Sequence, residues 1–403
     1  MRRGEPTALR RALVRPGFRR LFAAQTISRC GDTFNSVALI ILVYRLTGSG
    51  VKVAGMVAFE IVPVLLFGFV AGSVVDRYPR RLVMISTDAA RTGVALLLTF
   101  FHRQLIVVYL AAFLLSAFSV FFNPAAAAVL PSVVDEDEIV GANSAFWSAA
   151  VISQIALAPA AGALVAVAGP GPAFTINAAT FAISGLLLTK LSLPQHAGRA
   201  PTRHLDHITE GLRVIRDSRF LSVLAGVQGL AALSAGATSA LLVVLAENQL
   251  NVGAGQFGML IAAIGIGAGF APLLLPRFVD DVQRPRYLFG PYLLRGSVDL
   301  ILAQTRNFGI SLGALAIYGV GTSTGNITYN SVLQVTVPDR LRGRVFAFYD
   351  VAWQTARLAS IGIGGILADQ YGIAVVYWIG GGLLIAAGTL GLTANPKIAP
   401  LTV

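Results

Sequence analysis

The chain has 403 residues, of which 55% are hydrophobic and only 12% are charged, and its mean hydropathy is +0.73. About a quarter of the residues in an ordinary soluble domain are charged, so this composition argues against a soluble enzyme, a nucleic-acid-binding domain and a disordered protein. The net charge of +12 takes its meaning from where the basic residues fall along the chain.

The arginine-rich N-terminal segment leads into an apolar stretch from Leu21 to Leu46. This stretch is longer than the core of a signal peptide, so we expect it to be retained as the first membrane span. Since a span needs about 20 residues, the apolar runs between helix breakers predict an all-α integral membrane protein with twelve transmembrane helices. Their approximate bounds are 20–46, 52–75, 82–101, 105–129, 142–168, 172–191, 219–246, 254–276, 287–304, 308–333, 345–368 and 373–394.

A long polar segment at 192–218 separates the first six predicted spans from the last six. Within it, Ile208, Leu212 and Ile215 recur at helical spacing beside basic residues, which predicts an amphipathic helix lying on the membrane face. We therefore divide the chain into an N-terminal six-helix bundle at 1–191, a cytoplasmic linker at 192–218 and a C-terminal six-helix bundle at 219–403.

Basic residues are distributed unevenly between the two sides of the membrane. Twelve spans place both termini and five connections on one side, which holds 23 of the 31 Lys and Arg residues, against 4 on the other side. Because Lys and Arg are retained in the cytoplasm, we expect a multi-pass cell-membrane protein with both termini cytoplasmic. The basic residues are spread over short loops and form no single patch, so no nucleic-acid partner is expected.

The two predicted halves resemble each other in a few spaced residues. Pairs in the first half recur in the second at offsets of 204 to 207 residues: Asp76–Arg80 with Asp280–Arg284, and Asn123–Pro131 with Asn330–Pro338. Two like-oriented halves imply a pseudo-two-fold axis along the membrane normal and a central cavity that opens to either side in turn.

The loop from Gly72 to Arg81 matches the G-x-x-x-D-R-x-x-R-R loop of the major facilitator superfamily, at the place between spans two and three where that family carries it. Shorter segments resemble the macrolide- and siderophore-exporter-like branch of its drug:proton antiporters: Ser28–Asp32, Tyr44–Ser49, Asn123–Ala125 and Pro338–Arg344. The chain departs from that pattern in two spans. The fourth has no arginine, and the fifth has Ala158–Gly162 in place of the full G-P-x-x-G-G motif.

The matching loop predicts a gate. Gly72 is expected to let neighbouring helices approach closely, and Asp76 to accept hydrogen bonds from the amides at a helix N-terminus. The resemblance implies that this helix is span eleven, near Arg342–Arg344, and that the contact latches the outward-open state. The alternative is that the arginines only fix the topology. The predicted gate residues are Gly72, Asp76, Arg77, Arg80, Arg81, Asp88 and Arg91.

Span one carries a polar stripe at three- and four-residue steps, formed by Gln25, Ser28, Arg29, Asp32 and Asn35. A charge at the bilayer centre costs about 2.5–3.5 kcal/mol, so the stripe should face a wet cavity or a partner. Arg29 and Asp32 are three residues apart and can partly neutralise each other, so an internal ion pair is the alternative to a cavity role. Asp32 is the stripe's only acid and our proton-coupling candidate.

Other polar positions give weaker signals. Glu60 in span two is the second candidate for proton coupling, with an ion pair to a basic group near the outer surface as the alternative. Arg295 and Asp299, one turn apart in span nine, are predicted to form a structural ion pair. A substrate path is predicted along spans four, ten and eleven, with bonding between helices as the alternative, at Asn123, Asn326, Asn330, Gln334, Asp350, Gln354 and Arg357. Two interpretations stay open for a set of aromatic residues on the spans, a wall for a drug-like ligand or ordinary packing between helices: Phe118, Phe121, Phe122, Phe146, Trp147, Tyr349 and Trp353.

These observations predict a secondary active transporter that exports hydrophobic or amphipathic small molecules in exchange for protons, by alternating access and as a monomer. No metal cluster and no nucleotide-binding loop is apparent, so no cofactor is expected. An importer or facilitator of a small polar solute is the first alternative. A membrane sensor or enzyme is the second, and it is less favoured because the only acidic cluster, Asp135–Glu138, is interpreted as a solvated loop.

Overall fold

A computed structural model describes residues 8–193, 214–278 and 284–394. Within these ranges the chain is helical and contains no β-strand, which confirms the all-α prediction. A short helix α1 (Ala8–Val14) precedes twelve long helices. These are α2 (Pro16–Thr47), α3 (Gly50–Arg77), α4 (Arg80–Phe101), α5 (Leu105–Val129), α6 (Ile139–Ala168), α7 (Gly171–Thr189), α8 (Arg219–Ala240), α9 (Ala254–Phe278), α10 (Pro285–Gln304), α11 (Phe308–Thr336), α12 (Asp339–Tyr371) and α13 (Ile373–Ala394).

Nine of the long helices in the described ranges are long and apolar enough to cross a membrane. The other three are α10, α11 and α12, which carry most of the polar residues of the predicted substrate path. The number of membrane spans, twelve, therefore remains a prediction. The outer surface fits a lipid environment, since large apolar side chains such as Val167 and Phe100 are 90% and 74% exposed.

Local sequence explains several helix ends. Gly169 and Gly372 follow the last turns of α6 and α12 with φ of +77° and +86°, a conformation that L-residues with a side chain rarely adopt. Ser218 and Asn307 precede α8 and α11, and their side-chain oxygens accept hydrogen bonds from backbone amides in the first turn.

The described residues form two compact units. The first comprises those within 1–46 and 59–202, and the second those within 47–58 and 203–403. Helix α3 therefore begins in the second unit and continues in the first. Most of the predicted amphipathic helix, residues 194–213, lies outside the described residues, whereas Ile215 is helical and buried in the core of the second unit.

The first unit has an apolar core at the end that carries the loop 72–81. Phe18, Met84, Phe122 and Leu188 are buried there, and the rings of Phe18 and Phe146 meet edge to face with centroids 5.9 Å apart. This packing brings α2, α4, α5, α6 and α7 together around one centre.

The acidic run before α6 is solvated at Asp135, Glu136 and Asp137, as the sequence predicted, but it forms a short 3₁₀ turn whose last residue is buried. Glu138 is only 2% exposed and forms an ion pair with Arg15 at 2.8 Å. Arg11 pairs with Asp137 at 2.8 Å, and Arg15 also contacts Asp135. Arginines near the chain start, which the sequence analysis counted only for topology, thus neutralise this acidic turn.

In the second unit, small residues let helix backbones approach closely. A Cβ atom at Gly296 on α10 would lie 2.8 Å from the carbonyl oxygen of Gly381 on α13. Gly267 on α9 has no room for a side chain because the backbone of Ala316 on α11 lies against it. Such contacts are typical of helices that pack tightly within a membrane.

Candidate functional site

The arginines of the loop 72–81 tie helix ends together inside the first unit. Arg80 Nη1 donates a hydrogen bond to the carbonyl oxygen of Ala128 at 2.7 Å, in the last turn of α5. Arg81 donates to the carbonyl oxygen of Thr189, at the end of α7. Cationic side chains satisfy the unpaired carbonyls at helix C-termini and interact favourably with the helix dipole. These arginines therefore have a structural role in addition to their predicted effect on membrane topology.

The remaining loop residues are less constrained. A Cβ atom at Gly72 would meet nothing within 4 Å among the described residues, so the close-approach explanation for this glycine is not supported. Arg77 is exposed, with its guanidinium carbon 6.0 Å from the ring centre of Tyr78. Asp76 is half-buried, and its contact with the start of span eleven stays a prediction.

Asp88 and Arg91 form a closed, buried pair within the first unit. Their side chains are in direct contact, and the residues are 0% and 2% exposed. The second carboxylate oxygen of Asp88 accepts a hydrogen bond from Ser184 on α7 at 2.7 Å. The guanidinium of Arg91 lies between the rings of Phe122 and Phe181, 4.3 Å and 4.4 Å from their centres. Their contacts are thus with α5 and α7, and their predicted part in the gate remains untested.

Asp32 lies beside this pair. It is half-buried on α2, and the charges of Arg91 and Arg29 both act on it. No ion pair within 4 Å joins Asp32 to Arg29 in the part of the chain that the structure describes, and Arg29 is exposed. The expected neutralisation within span one is thus not seen as a direct contact, and the strongest opposite charge on Asp32 comes from Arg91 on α4.

The rest of the span-one stripe is buried or half-buried, apart from Arg29. Asn35 is 7% exposed and its side-chain carbonyl oxygen has no hydrogen-bond partner among the described residues. Gly31 allows α2 to lie against α7, since a Cβ atom there would be 2.6 Å from Oδ1 of the buried Asn177. Gln25 is half-buried. Glu60 on α3 is half-buried as well, and its backbone carbonyl accepts a hydrogen bond from Ser116 at 2.5 Å.

An acid that the sequence analysis did not single out caps a helix in the second unit. Asp369 lies in the last turn of α12, where the helix dipole disfavours an acid. Its carboxylate accepts hydrogen bonds from the backbone amides of Gly50 and Val51 at 2.6 Å and 3.2 Å, and from Ser49 Oγ at 2.5 Å. It therefore compensates the positive N-terminus of α3. Gly48, with φ of +63°, makes the turn that presents these amides.

The second unit also contains a cavity of about 210 Å³ between α8, α10, α11 and α12. Three predicted path residues line it together: Asn326, Asn330 and Asp350. The predicted aromatics Tyr349 and Trp353 line it as well. The cavity is also lined by residues that were not predicted to lie on the substrate path, among them Arg295, which was expected only in an ion pair: Gln228, Pro291, Tyr292, Arg295, Thr322, Gly325, Tyr329 and Phe346.

The cavity combines a rigid aromatic wall with polar groups. The ring of Tyr329 meets those of Phe346 and Tyr349 edge to face, with centroids 6.4 Å and 6.0 Å apart. The hydroxyl of Tyr292 donates to Gln228 Oε1 at 2.5 Å. Asp350 is exposed to the cavity and has no ion-pair partner within 4 Å among the described residues. A cavity that joins aromatic ring faces with convergent polar groups is suited to a small-molecule ligand.

Several predicted residues lie elsewhere. Asn123 and Gln334 are exposed, and Gln354 and Arg357 are half-buried, but none of the four lines this cavity. Phe122 packs on Arg91 and Phe146 on Phe18, so two of the predicted wall aromatics belong to the core of the first unit.

The predicted ion pair of span nine is not formed. Arg295 and Asp299 are buried one turn apart, yet Arg295 Nη2 donates to the hydroxyl of Tyr318 at 2.9 Å and its guanidinium lies over that ring. No ion pair within 4 Å joins Arg295 to Asp299, although both lie in the described range 284–394. The phenol on α11 has taken the place of the carboxylate as the partner of the guanidinium.

Comparison with known proteins identifies the family. A family profile described as transmembrane secretion effector, MFS_3, matches residues 10–399. The chain belongs to this family. It is similar to an uncharacterized MFS-type transporter, YfiS of Bacillus subtilis, with 27% identity over 95% of this chain and 94% of the relative. Identity is 28% to the multidrug efflux pump Tap of Mycobacterium bovis, over 89% and 88% of the two chains. It is 22% to macrolide efflux protein A of Streptococcus pyogenes, over 91% and 93%.

A solved structure supports the fold. A bacterial homologue of the iron transporter ferroportin superposes with a TM-score of 0.77 over 94% of this chain and 98% of that one, at 15% identity. The resemblance to the major facilitator superfamily is thereby confirmed. The protein is a multi-pass membrane transporter for small molecules and not an enzyme.

Proposed function

We propose that this MFS_3 protein exports hydrophobic or amphipathic small molecules in exchange for protons. The observation that carries the proposal is the cavity of the second unit, whose lining combines aromatic rings with one acid, Asp350, that has no ion-pair partner within 4 Å among the described residues. Apolar rings bind the body of an amphipathic molecule, and a carboxylate binds a cationic or hydrogen-bonding group on it. Relatives named as a multidrug pump and a macrolide efflux protein support export as the direction.

The proposed coupling residue is Asp32. A proton-exchanging carrier needs a carboxyl group that is protonated when one side is open and ionised when the other is open. Asp32 is half-buried on a spanning helix beside the cation Arg91, so a change in local solvation or in its distance from Arg91 alters its charge. Arg91 itself is held by Asp88, which leaves Asp32 the freer of the two acids.

The proposed setting is the cell membrane, with both termini cytoplasmic and a monomer as the working unit. The distribution of Lys and Arg, with 23 on one side against 4 on the other, supports this orientation. Alternating access is proposed as the mechanism, with Asp76 and Asp369 as acids that cap helix starts in different steps of the cycle.

A second candidate function is the uptake or facilitated diffusion of a small polar solute. It is favoured by the side-chain amides of Gln228, Asn326 and Asn330 and the guanidinium of Arg295, which line the same cavity. Several such groups are typical of sites that replace the hydration of a polar ligand.

A cellular accumulation assay tests the proposal. Cells that express the protein should retain less of a panel of lipophilic dyes than cells that lack it, and a proton uncoupler should remove the difference. Trp353→Ala removes part of the cavity wall and should weaken export, whereas Trp378→Ala changes an exposed tryptophan of the same unit that does not line the cavity and should not. Uptake of nucleosides or sugars without dye export would favour the second candidate.

The role of Asp32 needs its own measurement. Asp32→Asn keeps the side-chain size and removes the titration, so uphill export should be lost while downhill flux of the same dye continues. Export against a gradient at the wild-type rate in this variant would make Asp32 a structural residue and Glu60 the next candidate.

A further inference from the structure

The buried acid Asp299 lies where three helices of the second unit meet. It is 1% exposed on α10, facing the contact of α10 with α8 and α13. Its Oδ2 atom has no hydrogen-bond partner among the described residues. An isolated ionised carboxylate in such a place is strongly disfavoured, because the free energy of its hydration is lost without an ion pair to replace it.

A second unpartnered oxygen faces the same small space. Ser234 on α8 is also 1% exposed, and its Oγ has no partner in the part of the chain that the structure describes. A Cβ atom at Gly380 on α13 would lie 3.2 Å from Ser234 Oγ and 3.7 Å from Asp299 Oδ2. The absence of a side chain at residue 380 therefore leaves a gap bordered by both oxygens.

The surroundings of this gap are apolar, which further disfavours the ionised form of the carboxyl group. Ser234 and Gly380 also line a crevice of about 230 Å³ between α8, α12 and α13, whose other lining is almost entirely aliphatic. Water in this crevice would find few polar partners, and a bound water needs two to four. A proton on the carboxyl group of Asp299 therefore suits the gap beside Ser234 better than an ion with its hydration shell does.

The charged and titratable groups around Asp299 come from each neighbouring element. On α10 itself Arg295 is one turn away, but its guanidinium is turned to Tyr318 of α11. On α13, Tyr377 donates its hydroxyl hydrogen to the carbonyl oxygen of Thr238 at 2.8 Å. The turn at 245–249, whose Gln249 binds the carbonyl of Leu302 at 2.7 Å, adds Glu247. None of these groups forms an ion pair with Asp299 within 4 Å in the described ranges.

We infer that Asp299 is a proton-binding site, with Ser234 as the hydrogen-bond partner of the protonated carboxyl group. A serine hydroxyl both donates and accepts, so Ser234 can bond the neutral carboxyl group, and the added proton removes a buried charge that no ion pair within 4 Å balances among the described residues. This step changes no oxidation state. A proton from water binds Asp299 Oδ2 and later returns to water.

Arg295 supplies the link to the substrate cavity. It lines that cavity and lies one turn from Asp299 on the same helix. When its guanidinium leaves Tyr318 and turns to Asp299, the ionised carboxylate gains an ion pair and the proton is released. A substrate that contacts Arg295 therefore influences the protonation of Asp299. This link rests on the proposed proton-coupled transport, whereas the protonation itself is testable without transport.

Infrared spectroscopy of the purified protein at neutral pH tests the protonation directly. A protonated carboxyl group has a carbonyl-stretching band that an ionised one lacks. We expect such a band in the wild type, the loss of one component of it in Asp299→Asn, and no such loss in Asp217→Asn, which changes an exposed acid of the same unit. A band of unchanged intensity in Asp299→Asn would overturn the inference, as would a wild type without the band.

Two further variants keep the test decisive if Asp299→Asn does not fold. Ser234→Ala should shift the band to the frequency of a carboxyl group without a hydrogen bond. Tyr318→Phe removes the acceptor that holds Arg295, so the band should weaken as Arg295 turns to Asp299. An unchanged band in both variants would overturn the inference. Sodium-dependent thermal stabilisation that disappears in Ser234→Ala would assign the gap to a metal cation and would also overturn it.

The transport arm separates this inference from the proposed function. In Asp299→Asn, exchange of labelled for unlabelled dye without a proton gradient should continue, while proton-driven accumulation is lost. Proton-driven export at the wild-type rate in a variant that has lost the band would show that Asp299 binds a proton without a part in coupling, and would overturn the link through Arg295. A wild type that exports none of the dyes would contradict the proposed function and leave the spectroscopic result to decide the site.

Discussion

Helices α4 and α10 are the third long helices of the first and last six, and each carries one buried arginine and one buried aspartate. In α4, Asp88 and Arg91 are three residues apart and in direct contact. In α10, Arg295 and Asp299 are four residues apart, which is equally suitable for a pair, yet they do not meet within 4 Å among the described residues.

The difference comes from what the neighbouring helices offer the arginine. In the first unit, two phenylalanine rings enclose Arg91 and provide no hydrogen-bond acceptor, so Asp88 is its hydrogen-bonding partner. In the second unit, the Tyr318 phenol offers both an oxygen acceptor and a ring face. Spacing along a helix therefore permits an ion pair, and the surrounding side chains decide whether it forms.

The largest expected loss of stability follows from breaking the pair of Asp88 and Arg91. Arg91→Met leaves Asp88 as a buried acid without its cation, and removal of one partner of a buried pair costs about 3–5 kcal/mol. The free energy of unfolding in detergent micelles measures this loss. The double variant Arg91→Met/Asp88→Leu removes both charges and should recover most of the stability. A double variant as unstable as the single one would mean that the pair acts mainly through its packing.

The matched change in the second unit should cost less. Arg295→Met removes a hydrogen bond to a neutral phenol and a cation–π contact, together worth about 1–2 kcal/mol. The reason for the smaller loss is that a protonated Asp299 does not depend on a cation. A loss as large as that of Arg91→Met, measured in the same micelles, would mean that Asp299 is ionised and relies on Arg295 at longer range.

The sequence predicted the positions of the helices well, because the positions of apolar helices depend on local composition. The apolar run at 345–368 lies within α12, Asp339–Tyr371, and the helix extends past the run because its polar ends also have helical backbone. Asn326, Asn330 and Asp350 were selected as polar positions on predicted spans, and the fold brings them to one cavity.

Contacts between distant segments could not be predicted in the same way. The phenol that binds Arg295 lies on another helix, and the two oxygens beside Gly380 come from segments 65 residues apart, with the glycine on a third helix. The same holds for Asp369, which lies 319 residues from the Gly50 amide that it caps. Ser49 before Gly50 indicates a capped helix start, but nothing in the local sequence identifies which acid supplies the cap.

The smallest expected effect concerns the acids at helix ends, where the two units again differ. Asp369 already caps the start of α3 in this structure, whereas the cap predicted for Asp76 belongs to the outward-open state. If each acid stabilises a different step of the cycle, Asp369→Asn and Asp76→Asn should shift the conformational equilibrium in opposite directions. Each loses a charge–dipole contact worth about 0.3–2 kcal/mol, which changes the ratio of states by up to about thirtyfold.

Cysteine accessibility from the two sides of the membrane measures that ratio. Cys30, the native cysteine, is replaced by Ser, and single cysteines are introduced at Asn330 and at Gln25 as reporters in each unit. The conservative variant Asp369→Glu should restore part of the effect, because it keeps the charge that the α3 amides bind. Shifts of the same sign in both Asn variants would mean that the two acids stabilise the same state. In that case the cap at Asp369 would be a fixed support of α3, and Asp76 alone would remain as a candidate for the switch.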